Sequence, residues 1–342
     1  MHKVITFGEL MLRLSPPGFE RFLQTPQFVA TFGGGEANAA VSLAQFGLDS
    51  YYVTRLPAHD IGEAAVRALR TEGVRTDYIL RGGDRIGIYY AEIGASQRAS
   101  QVIYDRARSA IAEMEPDAID WKKVFDGAAW FHVTGITPAL GEKGTASTTR
   151  ALEAAKAAGA RVSCDLNFRR KLWSEKRAQE VMGPLMRFVD VVIANEEDLQ
   201  SVLGVHVPGT DVTSGQLNFA GFQEAAERVT RDFGPPMVAI TLRESLSASD
   251  NGWSAALWDA STKSMHRSQR YDVRLVDRIG GGDSFAGGLI FGLVTGRTPE
   301  QALRFAVAAS ALKQTIPGDF NRSTVAEIDR LAAGDASGRV QR

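Results

Sequence analysis

Three consecutive glycines, Gly280, Gly281 and Gly282, run into Asp283 within DRIGGGDSFAGG (277–288), and the residues that follow suit a helix. Consecutive glycines open backbone conformations closed to other residues and let a ligand approach the main chain. A helix starting near Gly282 would aim its unpaired N–H groups and positive dipole end at an anion. Asp283 would stand at that same end. Amides that take up charge on a phosphate, beside a carboxylate that accepts an alcohol's proton, suit phosphoryl transfer. The same residues also read as a glycine-rich turn with an Asp cap, so the rest of the chain has to decide.

A second glycine-rich helix entry, Gly33-Gly34-Gly35-Glu36-Ala37-Asn38, precedes the apolar run AAVSLAQFG closed by Gly47. There Glu36 and Asn38 could hydrogen-bond a polyol, or be ordinary polar residues of a first helical turn.

These motifs need a frame. Val4 to Phe7 reads as a buried strand, Tyr51 to Arg55 as a second, and Asp60 to Glu72 as a helix. From Trp121 strand and helix alternate, with strands at 130–134, 161–165, 189–194 and 237–241 and helices at 144–158, 179–188, 196–203 and 219–232. Such alternation implies an α/β fold with a largely parallel sheet covered on both faces. Ligands of such sheets sit beyond the strands' carboxyl ends. There the chain carries Asp165 to Arg169, Asn195-Glu196-Glu197-Asp198, and Thr241 to Glu244. The alanine-rich segment Gln301 to Lys313 is a good helix former and a core candidate. Two extended regions, Met11 to Phe32 around Ser15-Pro16-Pro17-Gly18 and Arg85 to Tyr104, fall outside the alternation. They read as a small separate sheet whose apolar residues, such as Ile88, Tyr90, Val102 and Tyr104, need cover from a partner subunit or a closed site.

The 342 residues are 44% hydrophobic and 23% charged, the range of an ordinary globular chain, and the formal net charge of −1 gives no general attraction to nucleic acid or anionic membrane. One cysteine, Cys164, excludes an intramolecular disulfide framework, and with five histidines a Cys/His zinc site is not expected. No apolar run has membrane-spanning length and the N-terminus has no signal-peptide pattern, so the expected location is cytoplasmic. A single domain is expected over 1–330, with a lid at about 11–32 and 85–105 and a flexible tail over 331–342.

Two distant glycine motifs with Asn195-Glu196-Glu197-Asp198 between them make the chain resemble the ribokinase-like, PfkB class of carbohydrate kinases over nearly its whole length. Within the class it is most similar to 2-keto-3-deoxygluconate kinases, through Tyr104-Asp105-Arg106, Asp165 to Arg169 with Leu172-Trp173, and Leu312-Lys313 through Asn321. The resemblance implies an αβα sandwich around a mostly parallel sheet, with a β-sheet lid built from the two extended regions. The apolar face of that lid makes a homo-oligomer joined through it the expectation, with a closed site as the other cover. It implies ATP and Mg²⁺ as cofactors and phosphorylation of 2-keto-3-deoxygluconate to 2-keto-3-deoxy-6-phosphogluconate. Asp283 falls at the general base and Gly280, Gly281 and Gly282 at the anion hole. Gly34, Glu36, Asn38, Tyr90, Tyr104, Arg106, Arg169 and Asp319 fall at the sugar acid, the two arginines on its carboxylate. Asn195, Thr241, Arg243, Ser245 and Ser247, with Gly280 and Gly282, fall at the nucleotide.

The chain departs from the pattern in three places. Gly281 replaces the usual Ala. The metal-linked Asn-x-x-Glu ends in Asp198, which implies an indirect metal role at most. The loop after Thr241 has its first glycine only at Gly252, which implies rearranged nucleotide contacts. The alternatives are a same-fold kinase for a neutral sugar or nucleoside, and a non-catalytic sugar-binding protein. A hydride-transfer enzyme does not fit, because no acidic residue follows a GxGxxG turn in the required way.

Overall fold

The computed structural model describes residues 2–209, 218–335 and 338. In chain order the strands are β1 Lys3–Phe7, β2 Met11–Ser15, β3 Val29–Gly33, β4 Asp49–Leu56, β5 Ile79–Arg81, β6 Gly87–Glu92, β7 Gln101–Asp105, β8 Ala128–Thr134, β9 Arg161–Asp165, β10 Val191–Ala194, β11 Met237–Ser245, β12 Asp250–Asp259, β13 Ser264–Arg267 and β14 Tyr271–Arg274. The α-helices are α1 Gly35–Gln45, α2 Asp60–Thr71, α3 Trp121–Phe125, α4 Glu142–Ala157, α5 Glu175–Leu185, α6 Glu196–Leu203, α7 Phe219–Phe233, α8 Gly281–Val294, α9 Pro299–Lys313 and α10 Val325–Ala332.

The main sheet runs β5-β4-β1-β8-β9-β10-β11 with every neighbouring pair parallel. Its strands are apolar on both sides because helices cover both faces. β10 shows the rule: Val191 and Ile193 face a layer containing α1, α8, α9 and α10, while Val192 and Ala194 face α3 to α7. Helix α2 packs on Tyr52 and Leu56 of β4 and on Ala37, Ala40 and Val41 of α1.

Beyond β11 the sheet turns antiparallel through β12, β13 and β14. The sequence pattern ended the strand at Thr241. In the structure it continues through Ser245, Leu242 opposite Ser254 and Ser245 opposite Asn251. Backbone pairing, not side-chain alternation, sustains that extension.

The two extended regions form the expected separate sheet, in the order β3-β2-β6-β7. It overhangs the carboxyl ends of the central strands. The tip of the β6–β7 hairpin rests on the β11–β12 turn: the Ala248 amide donates to the Ser96 carbonyl (2.8 Å), and the Ser96 amide to Ser249 Oγ (2.9 Å).

α8 and α9 run antiparallel in close contact. A Cβ at Gly288 would stand 2.8 Å from Ala306 Cα, and one at Gly292 2.6 Å from Ala302 Cβ, so glycine is what allows this approach. The packing sets the first turn of α8 beside the last turn of α9. Of the tail expected over 331–342, Leu331 and Ala332 still belong to α10, whereas 336, 337 and 339–342 lie outside the described residues.

Candidate active site

A cavity of about 380 Å³ opens where the lid overhangs the carboxyl ends of β9, β10 and β11. The start of α8 forms its floor. Gly280 caps that helix with φ of +86°, a left-handed conformation suited to glycine, and a Cβ there would lie 2.1 Å from the Asp319 carbonyl oxygen. The three glycine amides are not equivalent. That of Gly281 donates to the Arg278 carbonyl (3.2 Å), whereas those of Gly280, Gly282 and Asp283 have no acceptor among the described residues. Of the donors expected at Gly280, Gly281 and Gly282, the turn itself consumes that of Gly281, which leaves the amides of Gly280, Gly282 and Asp283 open.

Asp283 follows in the first turn of α8. Its carboxylate accepts a 2.7 Å hydrogen bond from Asn38 Nδ2, and Asn38 Oδ1 accepts from the Gly34 amide (3.2 Å). The two glycine motifs thus meet through one side-chain bond. Burial pushes the Asp283 pKa up to about 6, with Asp319 and Glu36 adding to the rise and Asn38 and Arg169 opposing it. A carboxylate held near 6 is ionised at neutral pH yet basic enough to take a proton in a transition state.

Gly34, Asn38, Tyr104, Arg106, Arg169 and Asp319 line the cavity as expected. Glu36 does not. Its Oε1 accepts from the Thr134 amide (3.0 Å), Thr134 Oγ1 (2.8 Å) and Thr137 Oγ1 (2.6 Å), so it pins the start of α1 to the end of β8, facing away from the ligand space. Tyr90 is also corrected. Side chains alternate along β6, and it is Tyr89 that faces inward, its hydroxyl donating to Asp319 Oδ2 (2.6 Å), while Tyr90 packs edge-on against Phe28.

Asp319 is held from its other oxygen by Arg13, which bridges it to Asp277, both at 2.7 Å. Asp277 in turn accepts from the amides of Ile279 and Gly318, each at 3.1 Å, and so braces the glycine turn. The two cavity arginines differ in charge balance. Arg106 Nε donates to Glu9 Oε2 (2.7 Å), its NH2 group binds the same oxygen, and its guanidinium lies over the Tyr104 ring. Arg169 forms no ion pair among the described residues. Its guanidinium makes one hydrogen bond among the described residues, to the Phe168 carbonyl (3.1 Å).

At the other end of the cavity lie Asn195, Thr241 and Arg243. Asn195 caps α6, its Oδ1 accepting from the Asp198 amide (2.8 Å). Asp198 accepts from the amides of Phe168 (2.8 Å) and Asn195 (3.3 Å). Both Asp198 oxygens thus serve backbone donors. Ser245 and Ser247 are outside the cavity lining: β11 carries Ser245 past it, and Ser247 Oγ closes the turn with Asp250 (3.2 Å).

Sequence reasoning missed a wall of donors on this side. Asn251 Nδ2, Trp253 Nε1 and Arg278 Nε are buried with no hydrogen-bond partner among the described residues, and all three residues line the cavity. The Arg278 pKa is lowered by burial and then by the neighbouring Arg243 guanidinium. Orphaned donors and two adjacent guanidinium groups form a wall of unmet donors, which a polyphosphate would satisfy. The only advance signal was Arg278 inside the glycine motif. Arg13, Glu9 and Tyr89 were missed too, although Arg13 at an inward position of an alternating strand was a readable sign.

An αβα sandwich with a β-lid over such a cleft defines a ribokinase-like fold. The chain belongs to the pfkB family of carbohydrate kinases, whose family model matches residues 1–323. A curated relative from Haloferax volcanii, a 2-dehydro-3-deoxygalactonokinase, is 34% identical over 337 residues, 98% of each chain. A solved 2-dehydro-3-deoxygluconokinase from Thermotoga maritima is 52% identical with a TM-score of 0.94, over 98% of this chain and 100% of that one. A fructokinase from Xylella fastidiosa solved with bound ATP shares the fold at 21% identity and a TM-score of 0.76. Among the described residues no helix is long and apolar enough to cross a membrane.

Proposed function

We propose that this kinase transfers the γ-phosphoryl group of ATP to the primary hydroxyl of 2-keto-3-deoxygluconate, giving 2-keto-3-deoxy-6-phosphogluconate. One observation carries the reading: the buried Asp283 carboxylate stands between an unpaired guanidinium at the lid end and a wall of unpaired donors at the other end. Asp283 takes the hydroxyl proton as the new O–P bond forms and the bond to ADP breaks. The amides of Gly280, Gly282 and Asp283 take up charge on the transferred group. Asn38 orients the base. Asp319, fixed by Arg13 and Tyr89, offers hydrogen bonding to the sugar, and Arg169 pairs with its carboxylate. The lid excludes water, the competing acceptor.

Mg²⁺ fits the donor set. Among the described residues no three acidic, His or Cys side chains form a preformed metal cage, and Mg²⁺ bound mainly through phosphates and water needs none. Asp165 has its pKa pushed well up by burial, then by the nearby Asp198 and Asp283 carboxylates, a crowding that a cation relieves. Asp165 would hold the ion, with Asp198 and Glu196 acting through water. When bound, it neutralises charge on the phosphates.

Arg278, Asn251 and Trp253 hold the nucleotide in place of the absent glycine loop. Arg278→Leu is expected to raise the KM for ATP roughly tenfold or more, with the KM for the sugar acid nearly unchanged. Steady-state kinetics with each substrate varied in turn checks this. A second reading, a kinase for a neutral sugar, is favoured by the Arg106–Glu9 pair, which uses up one of the two carboxylate-binding candidates.

ADP release from purified protein against a panel of sugars and sugar acids, both C4 epimers included, tests the assignment. The best substrate should be a 2-keto-3-deoxy sugar acid, and a preference for neutral sugars or nucleosides would refute it. The lid's outer side exposes Phe28 and Ile103, which supports a homo-oligomer joined there. Sedimentation at micromolar concentration should show a dimer or larger, and a monomer would count against it.

A further inference from the structure

One buried charge stands apart from the cavity lining. Lys313, in the last turn of α9, is 0% exposed. Its ammonium donates to two backbone carbonyls, that of Asp277 at 3.1 Å and that of Ile279. Among the described residues it makes no ion pair. The groups that face it are the Asp277 and Asp319 carboxylates, the Arg13 guanidinium and, further off, Asp283. Lys313 and Arg13 together balance Asp277 and Asp319. Burial lowers the Lys313 pKa, and the Asp277 and Asp319 carboxylates oppose that fall; a neutral Lys313 would leave the buried set one negative charge in excess.

The carbonyls it binds belong to the turn that builds the anion hole. In a planar trans peptide the C=O and N–H point in opposite directions. Drawing the Ile279 carbonyl down to Lys313 therefore turns the Gly280 N–H up, towards the cavity that Gly280 lines. Gly280 lies against the lysine stem, since a Cβ there would come 3.2 Å from Lys313 Cε. The neighbouring turn of α9 reinforces the hold: Ser310 Oγ donates to the Gly281 carbonyl (2.7 Å), and the Gln314 carbonyl accepts from the amides of Val276 (2.9 Å) and Asp277 (3.2 Å).

We propose that Lys313 is a positioning residue for phosphoryl transfer, its buried ammonium locking the 277–280 turn through two carbonyls so that the Gly280 amide meets the transferred phosphate. This rests on reading the start of α8 as the anion hole. The ammonium also places a fixed positive charge behind that hole. Because the phosphate gains charge density at these donors in the transition state, the effect falls on turnover more than on binding.

Lys313→Met keeps most of the stem and removes the cation. It is expected to lower kcat about a hundredfold, the loss typical of one such donor, with both KM values changing less than about threefold. Saturating ammonium chloride should restore kcat by roughly tenfold or more, by refilling the carbonyl site, whereas tetramethylammonium chloride, too large to enter, should not. Near-normal kcat, a loss confined to KM, or equal recovery with both salts would overturn the proposal. If thermal melting shows the Met variant unfolded, Lys313→Gln, which still offers N–H donors to the carbonyls, carries the same test. Asp283→Asn is assayed in parallel. If it too keeps its turnover, the catalytic reading of the helix start fails; if it alone loses turnover, only the role of Lys313 fails.

Discussion

Asp283→Asn is expected to reduce turnover by roughly two to four orders of magnitude while leaving ATP binding intact. The amide preserves the shape and the contact with Asn38 but cannot accept the hydroxyl proton. A second readout distinguishes loss of a base from damage to the fold. The Asp283 pKa rises in the folded protein from 3.8 to about 6. The sign follows from linkage. Well below pH 3.8 the group is protonated folded or unfolded and contributes nothing. As pH rises through 6 the unfolded chain ionises more readily, and the folded state loses up to about 3 kcal/mol relative to it. Asn carries no such penalty. The variant should therefore melt above the parent at pH 8, with the difference much reduced near pH 4 and gone well below 3.8. In the parent, activity should fall as pH drops through about 6. A variant that keeps near-normal turnover removes Asp283 from the mechanism, whatever its stability.

The parts of this molecule legible in the sequence are those set by backbone requirement or by periodicity. Gly280 and Asp283 were legible because few functions need a run of glycines entering a helix beside a carboxylate. The central strands were legible because burial on both faces demands continuous apolar runs, as in Val191–Ala194. The lid strands stood out by failing to alternate with helices. What escaped depends on direction and on distant partners. Tyr89 and Tyr90 are adjacent residues of one strand, and only the register of β6 on β2, with Leu12 opposite Ile88 and Arg13 opposite Tyr89, decides which ring meets Asp319. Glu36 carries the composition of a ligand contact, yet Thr134 and Thr137, about a hundred residues away, claim it. Asn251 and Trp253 sit in a stretch without apolar alternation, on a strand held by its neighbour's backbone. Lys313 lies in an alanine-rich segment whose pattern predicts a core helix, and its partners are carbonyls, which no side-chain pattern announces.

The same dependence on distant partners separates the two arginines that the sequence treated as a pair. A carboxylate entering the cavity meets Arg169 free of any direct ion pair among the described residues, though it lies in the field of Asp165, Asp198 and Asp283, and Arg106 already paired with Glu9. Charged hydrogen bonds are about twice as strong as neutral ones, so losing an unpaired guanidinium in a closed site should be felt fully. Arg169→Leu is thus expected to raise the half-saturating concentration of 2-keto-3-deoxygluconate at least about tenfold. Use of a neutral sugar such as fructose should hardly change, having no carboxylate to lose. Arg106→Leu should behave differently. It leaves Glu9 buried and unpaired between β1 and the lid, so both sugars should suffer together and the melting temperature should fall. Replacing Glu9 by Gln in the same chain should recover part of that stability by removing the stranded charge. Parallel kinetics on both substrates for the two arginine variants decides the matter. If Arg169→Leu costs the neutral sugar as much as the sugar acid, the guanidinium does not recognise a carboxylate. The enzyme is then a neutral-sugar kinase of the same family, with Asp283 still as its base.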